Sequence, residues 1–138
     1  MKNKRPGELK KLCDIQVRKY LLKNASRDSY NRIYCPLKQV WFPESKMHVA
    51  HFFDRGRMHT RYHKHNIHLI SEQSNVWDAR EPAEGYKSLH HKQYEEWLKE
   101  EIGEKNFENL LELSEELSIF GVDKYLEVLE QYKTKENE

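Results

Sequence analysis

The chain has 138 residues, enough for one domain with a modest core and short for two. Hydrophobic residues make up 37% and charged residues 34%, the balance of a folded, soluble protein with much solvated helix. No apolar run approaches the roughly 18 residues needed to span a bilayer, and the start MKNKRPGELKK holds no apolar segment for a signal peptide, so a cytoplasmic protein without membrane partners is expected.

A net charge of +1 hides a strong polarity. Residues 1–70 carry 16 Lys and Arg against 5 Asp and Glu, whereas residues 71–138 carry 8 against 18. The basic half suits a phosphate backbone, because Lys and Arg displace condensed counterions. Cys13 and Cys35 form no CxxC pair, so reduced thiols are expected rather than a disulfide framework.

Pro6 and Gly7 precede Leu9, Leu12, Cys13, Val17, Tyr20 and Leu21, whose spacing predicts a helix over 7–23. A polar loop over 24–31 leads to two short β-prone runs, 32–35 and 39–42, each followed by a proline and expected as irregular or edge strands. Residues 46–53 read as a better strand. On a regular strand Val49, His51 and Phe53 project one way, and His48, Ala50 and Phe52 the other.

Residues 54–65 read as a basic loop turning at Gly56, and 66–70 as a second strand. Ser71 is the expected N-cap of a short helix, with Ser74 three residues on, broken by the segment 80–85. Leu89, Tyr94, Trp97, Leu98 and Ile102 mark an amphipathic helix ended by Gly103. Two further helices are expected, over about 105–118 and after Gly121.

Six of the eight histidines fall between His48 and His68, interleaved with Arg55, Arg57, Arg61 and Lys64. Arg55, Arg61 and Lys64 are the expected phosphate contacts, with Arg57 and Lys46 behind them. His59 and His68 are read as lining a site, and His63 and His65 as surface residues.

The order of residues resembles the NinG (Rap) family of bacteriophage recombination proteins, within the HNH or ββα-metal nuclease superfamily. That family runs from an N-terminal helix through a Cys pair to Gly-His-Phe with a following Arg, then Thr-Arg-aromatic, Asn, and a second Cys pair ending Cys-Asn. Here stand Ala50-His51-Phe52 with Arg55, Thr60-Arg61-Tyr62, Asn66 and Ser74-Asn75, then Tyr94, Leu98 and Gly103.

The resemblance implies an α+β chain: a ββα-metal finger over 31–80, preceded by the 7–23 helix and followed by helices over 86–133, in a single domain 1–138. It implies that His51 is the general base activating water, that Asn66 orients His51 through its side-chain amide, and that Asn75 binds one Mg²⁺ or Mn²⁺ through its carbonyl oxygen. His48 and Asp54 are further ligand candidates.

Two departures stand out. The four zinc-binding cysteine positions are Cys35, Lys38, Ser71 and Ser74 here, and one thiolate cannot complete a closed zinc site, so no structural zinc is expected. Packing of Ile33, Val40, Trp41, Leu69 and Trp77 is expected in its place. The position before His51, acidic in many HNH sites, is Ala50.

The implied function is a metal-dependent DNA endonuclease of phage recombination, acting inside the bacterial host on branched DNA such as Holliday junctions or D-loops. A homodimer would give paired nicks. The alternatives are a non-catalytic DNA-binding scaffold that retains the finger and, against the run of arginines, a histidine-rich metal buffer.

Overall fold

Alternating side chains over Met47–His51 and Ile67–Ser71 give the two strands at the centre of the larger part of the molecule. The computed structural model describes residues 4–72, 74 and 89–133. These contain α1 (Pro6–Asn24), β1 (Ile33–Cys35), β2 (Val40–Phe42), β3 (Met47–His51), α2 (Met58–Arg61), β4 (Ile67–Ser71), α3 (Leu89–Ile102), α4 (Glu104–Ser114) and α5 (Val122–Gln131). Helices and two small antiparallel sheets make the chain α+β.

Residues 26–115 form one compact unit, and residues 1–25 with 116–138 form another, a division of the span read from sequence as one domain. In the larger unit β3 and β4 pair without interruption from Met47↔Ser71 to His51↔Ile67. The two proline-bracketed runs, β1 and β2, pair with each other. Between them the chain turns over Pro36–Gln39, with Gln39 at φ 57° and its N–H on the Cys35 carbonyl at 2.8 Å.

The core around the strands includes Ile33, Cys35, Leu37, Met47, Ile67 and Ile70, all buried. This corrects part of the expected packing. Val40 is 50% exposed, and Trp41 stacks edge-on against the exposed Tyr34 at 5.2 Å. Ile33 is buried as expected, Leu69 is half-buried, and Trp77 lies outside the described residues.

The α3 helix covers the face of the hairpin that carries Ala50, Phe52 and His68. Tyr94 meets Phe52 at 5.2 Å and His68 at 5.5 Å, and Trp97 meets His68 at 5.0 Å. Gly103 separates α3 from α4 at φ 86°, ψ 156°, a conformation essentially reserved for glycine.

In the smaller unit α1 and α5 pack together. Leu9, Cys13 and Val17, four residues apart, form the buried stripe of α1, and Tyr125 and Val128 that of α5. Gln16 Nε2 donates to the Tyr132 carbonyl at 2.7 Å, and the Tyr20 and Tyr132 rings meet edge-on at 5.2 Å. Burial pushes the Cys13 thiol up to about 11, with Asp14 adding to the shift. Both cysteines are free. No helix among the described residues is long and apolar enough to cross a membrane.

Candidate active site

His51 ends β3, and the loop that follows is held by one residue. Asn66 is fully buried. Its Nδ2 donates to the carbonyls of Phe53 (3.1 Å) and Thr60 (3.0 Å), its Oδ1 accepts the Phe53 N–H (2.7 Å), and its own carbonyl accepts the Phe52 N–H (3.0 Å). Both Nδ2 protons are thereby spent on loop backbone. Asn66 fixes the two residues after His51 and the far side of the loop, so its positioning of His51 runs through the main chain, where a direct grip by the amide was expected.

The loop itself is more ordered than its composition suggests. Asp54 Oδ1 accepts the Gly56 N–H at 3.0 Å, and α2 follows as a single helical turn over Met58–Arg61. Arg61 is only 5% exposed, donates to the Arg55 carbonyl at 2.8 Å and lies over the Tyr62 ring at 5.7 Å. This corrects its assignment as a phosphate contact, because a buried guanidinium committed to a loop carbonyl braces the loop.

Arg55 and Lys64 are exposed. Arg57 is exposed as well, with Nη1 donating to the Ser114 carbonyl at 3.3 Å and Nε 3.5 Å from Asp54. Lys46 precedes β3 at the end opposite His51, roughly 16 Å away along five residues of strand. It is therefore separate from the loop cations.

The unbroken ladder puts His48 and His51 on opposite faces of the hairpin, and His48 sits 4.0 Å from Glu72. His48 is thus corrected as a ligand beside His51. Asp54 caps its own turn, as given above. Among the described residues no three His, Cys, Asp or Glu side chains are grouped to hold a metal ion. Asn75 lies outside the described residues.

His59 is half-buried on α2. His68 is held between strand and helix, its Nδ1 2.6 Å from the Tyr94 hydroxyl. Burial pushes its pKa down to about 3, outweighing a hydrogen bond with the His65 backbone that acts the other way, so it stays neutral at physiological pH and serves as packing as well as lining. His63, read as a surface residue, is half-buried and accepts the His65 N–H at 3.1 Å through Nδ1. Burial lowers its pKa, with His65 and Lys64 contributing.

Three of the four positions matched to zinc ligands come together. Cys35 Sγ lies 3.5 Å from Ser71 Oγ and 3.9 Å from Ser74 Oγ, and all three residues are buried. A zinc–sulfur distance of about 2.3 Å gives a tetrahedral edge of about 3.8 Å; the two separations from Cys35 are near it, and the Ser71 and Ser74 hydroxyls are closer, hydrogen-bonded at 3.1 Å. Lys38, the fourth position, is exposed in the β1–β2 turn.

Burial raises the Cys35 pKa. The hydrogen bond with the Ser71 hydroxyl and those from the N–H groups of Ser71, Lys38 and Leu37 outweigh that effect and leave it below the ordinary thiol value. The Ser74 N–H donates to Ser71 Oγ at 3.4 Å, the expected N-cap bond, and beyond Ser74 the expected helix lies outside the described residues.

A cleft lined by Phe52, Phe53, His91, Phe107, Glu95 and Lys99 went unread in the sequence. Its one visible signal was the Phe52–Phe53 doublet directly after His51.

The chain matches no protein-family model, and neither the curated proteins nor the solved structures include a significant match to it.

Proposed function

We propose that the chain is a metal-dependent DNA endonuclease of the HNH type, akin to the NinG recombination proteins, with branched DNA as its substrate. The observation that carries this reading is the meeting of Cys35, Ser71 and Ser74 in one buried cluster. They stand where the family pattern puts metal-binding cysteines, and they lie beside a hairpin that ends in His51 and is locked by Asn66. Residues 36 positions apart have no local reason to meet this way.

In the proposed mechanism the His51 imidazole accepts a proton from the water that attacks the phosphodiester. Asn66 keeps the loop after His51 in one conformation, so the imidazole is placed before substrate arrives. Arg55, Arg57 and Lys64 hold the phosphate backbone. Asn75 would hold Mg²⁺ or Mn²⁺ through its amide oxygen, a hard donor suited to a cation that keeps several waters. When bound, that ion supplies charge stabilisation to the phosphate and the departing oxygen.

A non-catalytic DNA-binding scaffold is the second reading. It is favoured by Ala50, 1% exposed, where many HNH sites carry an acidic ligand. The two readings separate on labelled four-way junction, duplex and single-stranded DNA incubated with Mg²⁺, Mn²⁺ or EDTA. Cutting with either metal and none in EDTA supports the nuclease, whereas binding without cutting in every condition leaves the scaffold.

A further inference from the structure

The cleft between the loop after β3, α3 and α4 has a volume of about 360 Å³. Aromatic rings form most of its wall. Phe52 stacks on His91 at 4.9 Å and 23°, and Phe107 meets Phe52 at 5.5 Å and Phe53 at 6.1 Å. Phe52 and Phe107 are buried, whereas Phe53 is half-buried and keeps part of its ring open to the cleft. Lys99 Nζ lies 4.9 Å from the Phe107 ring centre and 3.2 Å from Glu95 Oε2, so a cation and a carboxylate stand together against the aromatic wall.

This volume falls at the low end of small-molecule sites, suited to one ring system rather than a length of peptide. Aromatic faces with an adjoining ammonium and carboxylate match a ligand that has a flat π-face and a donor–acceptor edge. A nucleobase has both. An aliphatic side chain would use the rings and leave the Lys99–Glu95 pair facing nothing polar. Asn66 accepts the N–H groups of both Phe52 and Phe53, so the wall of the cleft and the loop after His51 share one anchor.

We propose that this cleft receives a single unpaired nucleobase of the strand held at His51, as a branch point would present. The inference rests on the DNA reading above and deepens it, because it supplies a preference for branched over continuous duplex DNA.

The test uses the full chain in EDTA with two DNAs of equal length. One carries 2-aminopurine unpaired at a branch, and the other carries it within a duplex. Stacking in the cleft quenches the unpaired probe with wild-type protein. Phe53→Ala abolishes the quench and weakens branched-DNA binding about tenfold, the scale of one base–aromatic stack, while duplex binding holds. Phe53→Leu keeps the apolar packing and gives the same loss of quench if the alanine variant fails to fold. A Glu95→Gln, Lys99→Gln double variant retains the quench and alters the preference among the four bases.

Equal quenching and equal affinity in wild type and both Phe53 variants would overturn the proposal. Cutting in Mg²⁺ is scored separately. A protein that cuts without quenching loses the base pocket and keeps the nuclease, and one that quenches without cutting does the reverse.

Discussion

Asn66, itself fully buried, makes three side-chain bonds to the loop. Removing it orphans the Phe53 N–H and the Phe53 carbonyl, whereas the Thr60 carbonyl keeps the His63 N–H at 3.0 Å. Asn66→Ala should therefore cost about 2 kcal/mol of unfolding free energy in urea titration, summing modest penalties for the two groups left unpaired. A loss below about 1 kcal/mol would mean that water replaces the amide. His68 gives a second residue-level prediction. The unfolded chain takes up a proton near pH 6.5 that the folded chain refuses until about 3, so this contribution to stability is complete above 6.5 and falls as the pH drops through that window. Between pH 7.5 and 5.0 the loss from this group is about 1–2 kcal/mol. Urea midpoints at the two pH values measure it, and His68→Gln, which does not titrate, should show a shallower fall.

Helix and strand periods made most of the elements readable. The stripe Leu9, Cys13, Val17 fixed α1, the alternation in β3 and β4 fixed the hairpin, and Gly103 marked the break between α3 and α4. The single turn of α2 was unreadable because four residues carry no period. Arg61 was misread for a related reason. Its burial depends on the Arg55 carbonyl six residues back, and composition does not distinguish a solvated arginine from one braced inside a loop. The Cys35–Ser71–Ser74 cluster was visible through order and spacing, although its closeness belongs to the packing of β1 against β4. At this scale the triple change Lys38→Cys, Ser71→Cys, Ser74→Cys should create a closed four-thiolate site with Cys35. One Zn²⁺ per chain retained through dialysis, with a melting temperature that falls on chelation, is the expected outcome. No retained zinc would mean that Lys38 is held away from the other three.

Over the whole molecule, sequence polarity and contact structure divide the chain differently. Charge changes sign near residue 70, whereas α1 packs with α5 and leaves residues 26–115 as a unit of their own. Pairing of the two ends is a long-range contact with no local signature, so a single domain was the natural reading of 138 residues. The DNA reading places Arg55, Arg57 and Lys64 on phosphates, so log K should fall against log salt with a slope of about −3 on duplex DNA. Arg55→Ala should reduce the magnitude of that slope by about one, whereas Arg61→Ala should lower stability and leave the slope nearly unchanged. Equal slopes for Arg55→Ala and wild type would remove Arg55 from the interface.

In the proposed nuclease His51 moves the proton in a hydrolytic cut. The most direct measurement is cleavage of a labelled four-way junction by wild type and His51→Ala in Mg²⁺ and Mn²⁺, with binding of the same DNA followed in EDTA. A rate loss of about 10²–10⁴ in His51→Ala is expected, with binding within twofold of wild type. Cleavage by His51→Ala at the wild-type rate would contradict this role.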